Sequence, residues 1–327
     1  MDSYEVLLYT WSMTSRKLVP SLTLLTLLVV LLGGCSGAPA PGPPTPVVDM
    51  TPAARSGDYE QAMAFGSGTR TYYLHLPPAV GRGKPLPLVI MLHGAGGTGA
   101  SFASFIGMSE LADREGFIAV YPDGSDPVQG HLTFNAHWCC YYAQDHNVDD
   151  VGYISALIDL LHVRYNVNLK MVYAGGLSNG AMMAYWLADR LSNRIAAIAP
   201  VAGAMAGDEP APAQSVSVIA FHGDADNTVR YNGVSKTDYH YLAAADSTGF
   251  WVKRDGCKLA AQRRENDTSI RDDYTACTQG SAVTLYTIKG GGHAWPSDET
   301  VAKLVGNEAN TSTAKLIWEF FKAHPKG

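Results

Sequence analysis

Six short apolar runs recur along residues 57–325, separated by longer stretches in which apolar residues repeat at helical spacing. Each run is four to six residues long, which favours a buried strand over a helix. The runs span residues 88–92, 117–121, 171–174, 196–201, 216–221 and 283–288. Because the runs alternate with helical patterns, they predict an α/β fold with a mostly parallel central sheet flanked by helices on both faces.

Helix signals lie between these runs. Asp149 or Asp150 is suited to cap a helix that ends near Tyr165. A second helix is expected over residues 181–190, and an amphipathic helix is expected over residues 310–323. Polar or glycine-rich segments follow several strands, and open α/β sheets bind their ligands outside the carboxyl ends of the strands. The functional site is therefore expected at that edge of the sheet.

The N-terminal segment has the anatomy of a signal peptide. Basic residues precede an apolar run at residues 18–32, which is shorter than the roughly 20 residues that span a bilayer. The sequence Leu-Gly-Gly-Cys that ends at Cys35 resembles the bacterial lipobox, so Cys35 is predicted to be lipidated. Met13 is a candidate for the true start, because the acidic residues before it are unusual in the basic region of a signal peptide.

The sequence thus predicts a signal peptide at residues 1–34, a tether rich in Pro, Ala and Gly at residues 35–56, and one globular domain at residues 57–327. The protein is expected to be exported, either to the cell envelope or to the medium, with the lipid anchor as its membrane contact. The net charge is −6 and no block of Lys or Arg follows the N-terminus, which argues against nucleic acid as a partner. We expect the chain to act as a monomer.

Ser178 is the candidate nucleophile. It lies in Gly-Leu-Ser-Asn-Gly at residues 176–180, between a predicted strand and a predicted helix. A nucleophilic serine of an α/β hydrolase needs a sharp strand-to-helix turn that exposes its oxygen, and the flanking glycines avoid clashes there. The motif alone is a weak signal in a chain with 33 glycines, but the strand–turn–helix context makes it specific.

Candidates for an acid and a base follow Ser178 in the order that hydrolases of this fold use. The fifth apolar run leads to Asp224 and Asp226, and the sixth leads to His293. The glycines before His293 let the backbone pass closely and aim the ring inward, so His293 is the candidate base. Spacing leaves open whether Asp224 or Asp226 is the acid. His222, adjacent to its strand, is interpreted as structural.

Two backbone N–H groups are expected to stabilise a tetrahedral oxyanion. One is predicted at Asn179, the residue after the nucleophile. The other is predicted at Ala95, within His-Gly-Ala-Gly-Gly at residues 93–97. This glycine-rich loop does not have the Gly-x-Gly-x-x-Gly spacing, with a later acidic residue, that is typical of dinucleotide binding.

Six motifs together resemble one family across nearly the whole globular part. They lie at residues 70–77, 93–97, 147–152, 176–182, 222–226 and 290–296. The chain resembles the polyhydroxybutyrate depolymerase and feruloyl esterase family, of the carbohydrate esterase family one type, within the α/β-hydrolase superfamily. The resemblance implies that ester bonds of a polymer or its side chains are cleaved through an acyl-enzyme, without a metal or an organic cofactor.

The resemblance also bears on the choice of acid. In the family pattern, the acid is the last residue of a His-Gly-Thr-x-Asp stretch, and this position falls on Asp226. The chain has Asp224 where the threonine is usual, so Asp224 remains a competitor. The predicted triad is therefore Ser178, Asp226 and His293, in which His293 takes the serine proton and Asp226 holds the histidine tautomer.

The expected substrates are feruloyl or acetyl esters on polysaccharide, or short hydroxyalkanoate esters. Trp138 and Trp295 flank the predicted site in sequence and are candidates for substrate contact, although ordinary aromatic packing explains them as well. The alternatives are an acyltransferase or a peptidase on the same fold, or a catalytically silent lipoprotein that binds at a surface.

The cysteines are interpreted as structural. Cys257 and Cys277 lie in a loop-rich insertion between acid and base, and export together with the family resemblance favours a disulfide between them. Cys139 and Cys140 resemble a cysteine pair that the family often carries, and they are expected to form a structural or redox-closed loop near the pocket. With the two nearby histidines they match no common zinc spacing.

Overall fold

The computed structural model describes residues 55–128, 130–236, 239–258, 260–304 and 311–327. The predicted signal peptide, most of the tether, Met13 and Cys35 lie outside the described residues. Within the described ranges, no helix is long and apolar enough to cross a membrane.

The strands are named in chain order. They are β1 (Gly57–Phe65), β2 (Gly68–Leu76), β3 (Leu86–Leu92), β4 (Ile118–Pro122), β5 (Val167–Leu177), β6 (Ala197–Val201), β7 (Ser217–Gly223), β8 (Val234–Lys236), β9 (Tyr239–Tyr241), β10 (Gln262–Glu265), β11 (Ser269–Tyr274) and β12 (Val283–Ile288). All six apolar runs of the sequence lie at strands of this set, namely β3, β4, β5, β6, β7 and β12.

Ten of these strands form one sheet in the order β1-β2-β4-β3-β5-β6-β7-β12-β11-β10, while β8 pairs with β9 separately. The six strands from β4 to β12 at the centre of the sheet are parallel. Two antiparallel strands flank them at each edge. The predicted mostly parallel sheet is confirmed. The apolar pattern misses the edge strands because they are only partly buried, and β10 is exposed at every position.

The helices are also named in chain order. They are α1 (Gly99–Ile106), α2 (Met108–Glu115), α3 (Tyr141–Asp145), α4 (Asp150–Tyr165), α5 (Asn179–Arg190), α6 (Ala244–Arg254), α7 (Asp298–Leu304) and α8 (Thr313–Ala323). The C-terminal ends predicted for α4, α5 and α8 are confirmed, at Tyr165, Arg190 and Ala323. The segment between Cys257 and Cys277, predicted to be rich in loops, contains β10 and β11 instead.

Helices pack on both faces of the sheet, as predicted. Leu88, Ile90 and Leu92 of β3 share a core with α4 and α5. Val89 and Met91 share a second core with α1, α2 and α8 on the other face. Successive residues of a strand point to opposite faces, so a strand covered on both sides must be apolar at every position. This accounts for the unbroken apolar run in β3.

Asp149 and Asp150 have different roles at the start of α4. Asp149 caps the helix, because its carboxylate accepts the N–H of Gly152 at 2.8 Å. Asp150 is buried and forms an ion pair of 2.6 Å with Arg70. Its second oxygen accepts the N–H of Asn135 at 2.7 Å. Of the two candidates for the helix cap, Asp149 is therefore the residue that caps α4.

Asp255, at the end of α6, is a buried acid whose carboxylate lacks a hydrogen bond of good geometry within the described ranges, although the Ser281 hydroxyl and the Val216 N–H lie near it. The nearby Ser281 hydroxyl donates to the carbonyl of Thr278 instead, at 2.9 Å. Burial raises the pKa of Asp255 from 3.8 to about 6. Between pH 3.8 and about pH 6, Asp255 is more often protonated in the folded chain than in the unfolded chain. The free energy of unfolding therefore falls as the pH rises through this range.

Asp255→Asn is therefore expected to be more stable than the wild type at about pH 8, by roughly 1–3 kcal/mol in the free energy of unfolding, and nearly equal to it at about pH 4. Urea unfolding at both pH values measures this difference. Asp267→Asn, at an exposed position, is the matched control and should change little at either pH. A gain of the same size at both pH values would contradict the assignment to Asp255 ionisation.

Candidate active site

Ser178 lies on the sharp turn between β5 and α5. Its backbone angles are φ 56° and ψ −120°, a conformation that a non-glycine residue adopts only under strain. The N–H of Ser178 donates to the carbonyl of Val201 at 2.9 Å, which holds the turn to the next strand. A Cβ at Gly176 would lie 2.6 Å from the backbone of Gly180, and one at Gly180 would overlap the carbonyl oxygen of Leu92. Both glycines of the motif are therefore required by close packing.

Asp226 and His293 meet at the ends of β7 and β12. Asp226 Oδ2 and His293 Nδ1 are 2.8 Å apart. A carboxylate only accepts, so Nδ1 carries the proton and Nε2 is left as the basic nitrogen. The other carboxylate oxygen accepts the N–H groups of Thr228 and Val229 at 2.8 and 3.0 Å. These bonds fix the orientation of both side chains.

The acid is held in its ionised form. Burial alone would raise the pKa of Asp226, but hydrogen bonds from His222 and His293 outweigh it and hold the pKa well below its ordinary value. His222 Nε2 lies 2.7 Å from the carbonyl of Val229 and 3.4 Å from Asp226 Oδ2. Because a carbonyl can only accept, Nε2 of His222 must be a donor, and this residue supports the acid loop as its structural interpretation implies.

Asp224 makes a different contact. Its carboxylate accepts the N–H of Gly290 at 2.6 Å, and its own N–H donates to Ile288 at 3.0 Å. Asp224 thus ties the loop that carries the acid to the loop that carries the base, and it is Asp226 that contacts His293.

Ser178, Asp226 and His293 follow strands β5, β7 and β12, which all run parallel within one sheet. Their loops therefore emerge from the same edge, where the sequence predicts the site. Within the described part of the chain, no hydrogen bond joins the Ser178 hydroxyl to His293. Such bonds are often long in a site without substrate and shorten when substrate binds.

The glycine-rich loop at residues 93–97 lies beside the nucleophile. A Cβ on Gly94 would be 3.5 Å from Ser178 Cβ. The N–H of Gly97 donates to the carbonyl of Gly94 at 3.0 Å, within the loop. The N–H of Gly96 donates to the carbonyl of Leu132 at 2.9 Å. The N–H of Ala95 has no acceptor among the described residues, and the N–H of Asn179, first residue of α5, has none within its helix.

His93 anchors this loop, a role that was not predicted from the sequence. Its Nδ1 donates to the carbonyl of Gly94 at 2.8 Å, and its Nε2 accepts the N–H of Gly124 at 3.0 Å. Burial lowers the pKa of His93, so the ring is held neutral, as this pattern of one donor and one acceptor requires. The signal in the sequence is a histidine at the end of a buried strand, directly before the glycines.

The two predicted substrate tryptophans lie in separate packing environments. Trp295 packs edge-on against Phe102, with ring centroids 5.6 Å apart, and lines a groove of about 1320 Å³ with Phe105. Trp138 stacks on Tyr241 with centroids 5.4 Å apart. Trp295 lines this groove, whereas Ser178 does not. Substrate contact by either tryptophan stays a prediction.

Both cysteine pairs form disulfides. Cys257 is bonded to Cys277, the pairing that the family resemblance favours, and Cys139 is bonded to Cys140. Among the described residues, no group of three or more His, Cys, Asp or Glu side chains is arranged to hold a metal ion.

A mostly parallel sheet, a strained serine between strand and helix, and an Asp–His pair at neighbouring strand ends define an α/β hydrolase. Residues 70–237, about half of the chain, match the family described as esterase PHB depolymerase, and the chain belongs to this family. The resemblance stated from the motifs is thereby confirmed.

Individual relatives agree with this assignment. Feruloyl esterase B of Piromyces equi is 30% identical over 221 residues, which cover 64% of this chain and 40% of that protein. A bifunctional acetylxylan esterase/xylanase of Neocallimastix patriciarum is 26% identical over 243 residues, covering 72% of this chain and 32% of that protein. The chain therefore spans well under half of the length of these two relatives.

The fold is shared with solved structures. An acetyl xylan esterase from Aspergillus awamori superposes with a TM-score of 0.57 at 16% identity, covering 81% of this chain and 99% of that one. At this identity the similarity establishes the α/β-hydrolase fold.

Proposed function

We propose that this chain is an exported serine esterase that hydrolyses carboxylic esters through an acyl-enzyme. The observation that carries the proposal is the Asp226–His293 hydrogen bond of 2.8 Å, which leaves the basic nitrogen of His293 open at the edge of the sheet where Ser178 lies. A buried, ionised acid, an oriented imidazole and a serine on a strained turn are the parts that acyl transfer needs.

In the proposed reaction, Ser178 Oγ attacks the ester carbonyl while His293 Nε2 takes the hydroxyl proton. Asp226 holds Nδ1–H and stabilises the imidazolium that forms. The tetrahedral intermediate expels the alcohol, which takes its proton from His293, and the acyl group stays on Ser178. Water then attacks the acyl-enzyme with His293 again as the base, which releases the carboxylic acid and restores the serine.

The proposed oxyanion donors are the N–H groups of Ala95 and Asn179. Both come from segments next to Ser178, and neither is needed by the hydrogen bonding of its own loop or helix. Fixed donors aimed at the developing negative charge lower the barrier without reorganising during the reaction.

The proposed substrates are feruloyl or acetyl esters on polysaccharide, or short hydroxyalkanoate esters. The names of the relatives support the feruloyl and acetyl esters, and the family description, esterase PHB depolymerase, supports the hydroxyalkanoate esters. Trp295 is proposed as a wall for the acyl group or the sugar, because it is partly exposed two residues after His293. Trp138 is proposed as a weaker contact, since it already stacks on Tyr241.

A panel of substrates tests the proposal with the full chain. Methyl ferulate, p-nitrophenyl acetate, p-nitrophenyl butyrate, acetylated xylan and hydroxybutyrate oligomers are compared by kcat/KM, and a peptide anilide and an added alcohol test for peptidase and acyltransferase activity. We expect ester hydrolysis to dominate, with a burst of p-nitrophenol from the acyl-enzyme. Turnover of the anilide alone, or transfer to the alcohol in preference to water, would replace the proposal by one of those alternatives.

We further propose that the protein is exported and lipidated at Cys35. The basic and apolar segments before Cys35 and the Leu-Gly-Gly-Cys sequence support this. Cys35→Ala is expected to move the protein from the membrane fraction to the soluble fraction of a bacterial expression host. An unchanged distribution would argue against lipidation.

A further inference from the structure

The loop at residues 134–140 contacts the nucleophile turn through Asn179. The Asn179 side chain is fully buried. Its Oδ1 accepts the N–H of Phe134 at 2.8 Å, and its Nδ2 donates to the carbonyl of Phe134 at 2.9 Å. Two hydrogen bonds to one residue fix the loop against the start of α5 in a single register.

The same loop also packs on the segment that carries the second proposed oxyanion donor. The ring of Phe134 packs on the ring of His93, with centroids 4.7 Å apart. His93 in turn donates to the carbonyl of Gly94, directly before Ala95. Phe134 therefore bridges the two segments that carry the proposed donors, Ala95 on one side and Asn179 on the other.

The disulfide between Cys139 and Cys140 joins neighbouring residues and constrains the C-terminal end of this loop. Asn179 Nδ2 lies 3.5 Å from Cys140 Sγ, so the carboxamide contacts both ends of the loop. The N–H of Ala136 donates to the carbonyl of Cys139 at 2.6 Å, which draws the turn together. Cys139 is buried in the core and Cys140 is partly buried, so the disulfide lies at the edge of the core.

We propose that the loop at residues 134–140, whose C-terminal end is constrained by the Cys139–Cys140 disulfide, positions both oxyanion donors, and that a dithiol reductant which opens this disulfide lowers turnover. The inference rests on the proposed esterase function. One thiolate of the dithiol attacks a cysteine sulfur and forms a mixed disulfide. Its second thiol then displaces the remaining cysteine, so that two electrons and two protons pass to Cys139 and Cys140 and the reductant becomes a cyclic disulfide.

The effect is expected in kcat and not in KM. Oxyanion donors act on charge that is present in the transition state and absent from the bound ester. Deleting a donor costs about 10²–10³ in kcat, and a donor that is displaced but still present should cost less, about 10-fold. KM should change by less than about 2-fold, because ground-state binding is not the interaction that is lost.

The experiment uses the full chain with p-nitrophenyl butyrate before and after treatment with dithiothreitol. Quenching with an alkylating reagent and peptide mass mapping reports which cysteines have been reduced as kcat falls. Cys257→Ser combined with Cys277→Ser is the matched control, since it removes the other disulfide and should keep the response to reductant. Asn179→Ala gives a second measurement: it retains the backbone N–H, so a loss of kcat at constant KM reports positioning by the side chain.

We expect kcat to fall in step with alkylation at Cys139 and Cys140 and to recover on reoxidation. Unchanged kcat with both of these cysteines reduced would overturn the inference, and so would a loss that follows Cys257 and Cys277 alone. Full activity in Asn179→Ala would overturn the role of the carboxamide. If the oxidised chain hydrolyses no ester, the proposed function itself fails, which the untreated sample reports separately.

Discussion

Replacing Ser178 with alanine is expected to lower kcat towards p-nitrophenyl butyrate by about four to six orders of magnitude. The hydroxyl oxygen is the atom that forms the acyl-enzyme in the proposed mechanism, and neither Asp226 nor His293 can supply a replacement. The residual rate should come from water that His293 activates beside the oxyanion donors. KM should stay near that of the wild type, because the lost interaction is made in the transition state.

The measurement is steady-state hydrolysis together with the burst of p-nitrophenol, which should vanish in Ser178→Ala. Ser235→Ala is the matched control, since this serine is exposed on β8 and lies in none of the loops that carry the predicted site residues. Thermal unfolding of both variants verifies that each remains folded. Turnover by Ser178→Ala at the wild-type rate would refute the serine mechanism.

Asp226→Asn is expected to lower kcat by about 10⁴-fold, the second largest effect. The Asn side chain can present an N–H₂ group to His293 Nδ1 and thereby favour the tautomer with its proton on Nε2. That tautomer cannot accept the proton of Ser178. The measurement is kcat for wild type and variant at a pH near 7.5, with KM as the check that binding persists.

Asp224→Asn is the control for this substitution. Its amide oxygen can still accept the N–H of Gly290, so the contact between the two loops should survive and kcat should fall by less than about 10-fold. A larger loss in Asp224→Asn than in Asp226→Asn would move the acid role to Asp224.

The apolar runs were sufficient to predict the central sheet, because a strand that is covered on both faces has to be apolar at each position. Ser178 and His293 could be proposed because each follows a predicted buried strand in a glycine-rich motif, whose backbone can turn sharply at the strand end. Parallel strands bring such ends to one edge of the sheet. The edge strands were missed, since β10 is exposed throughout and carries no apolar pattern.

What the sequence by itself determined was the class of fold, the positions of the buried strands along the chain, the serine on its turn and the family motifs, since each of these depends on residues close together in the chain. Only the tertiary structure decided which aspartate contacts His293, that Asp150 is paired with Arg70, and that Asn179 holds Phe134. These pairs are separated by 67, 80 and 45 positions. Such contacts are made by the packing of loops at the sheet edge, and no local periodicity encodes their distances or directions.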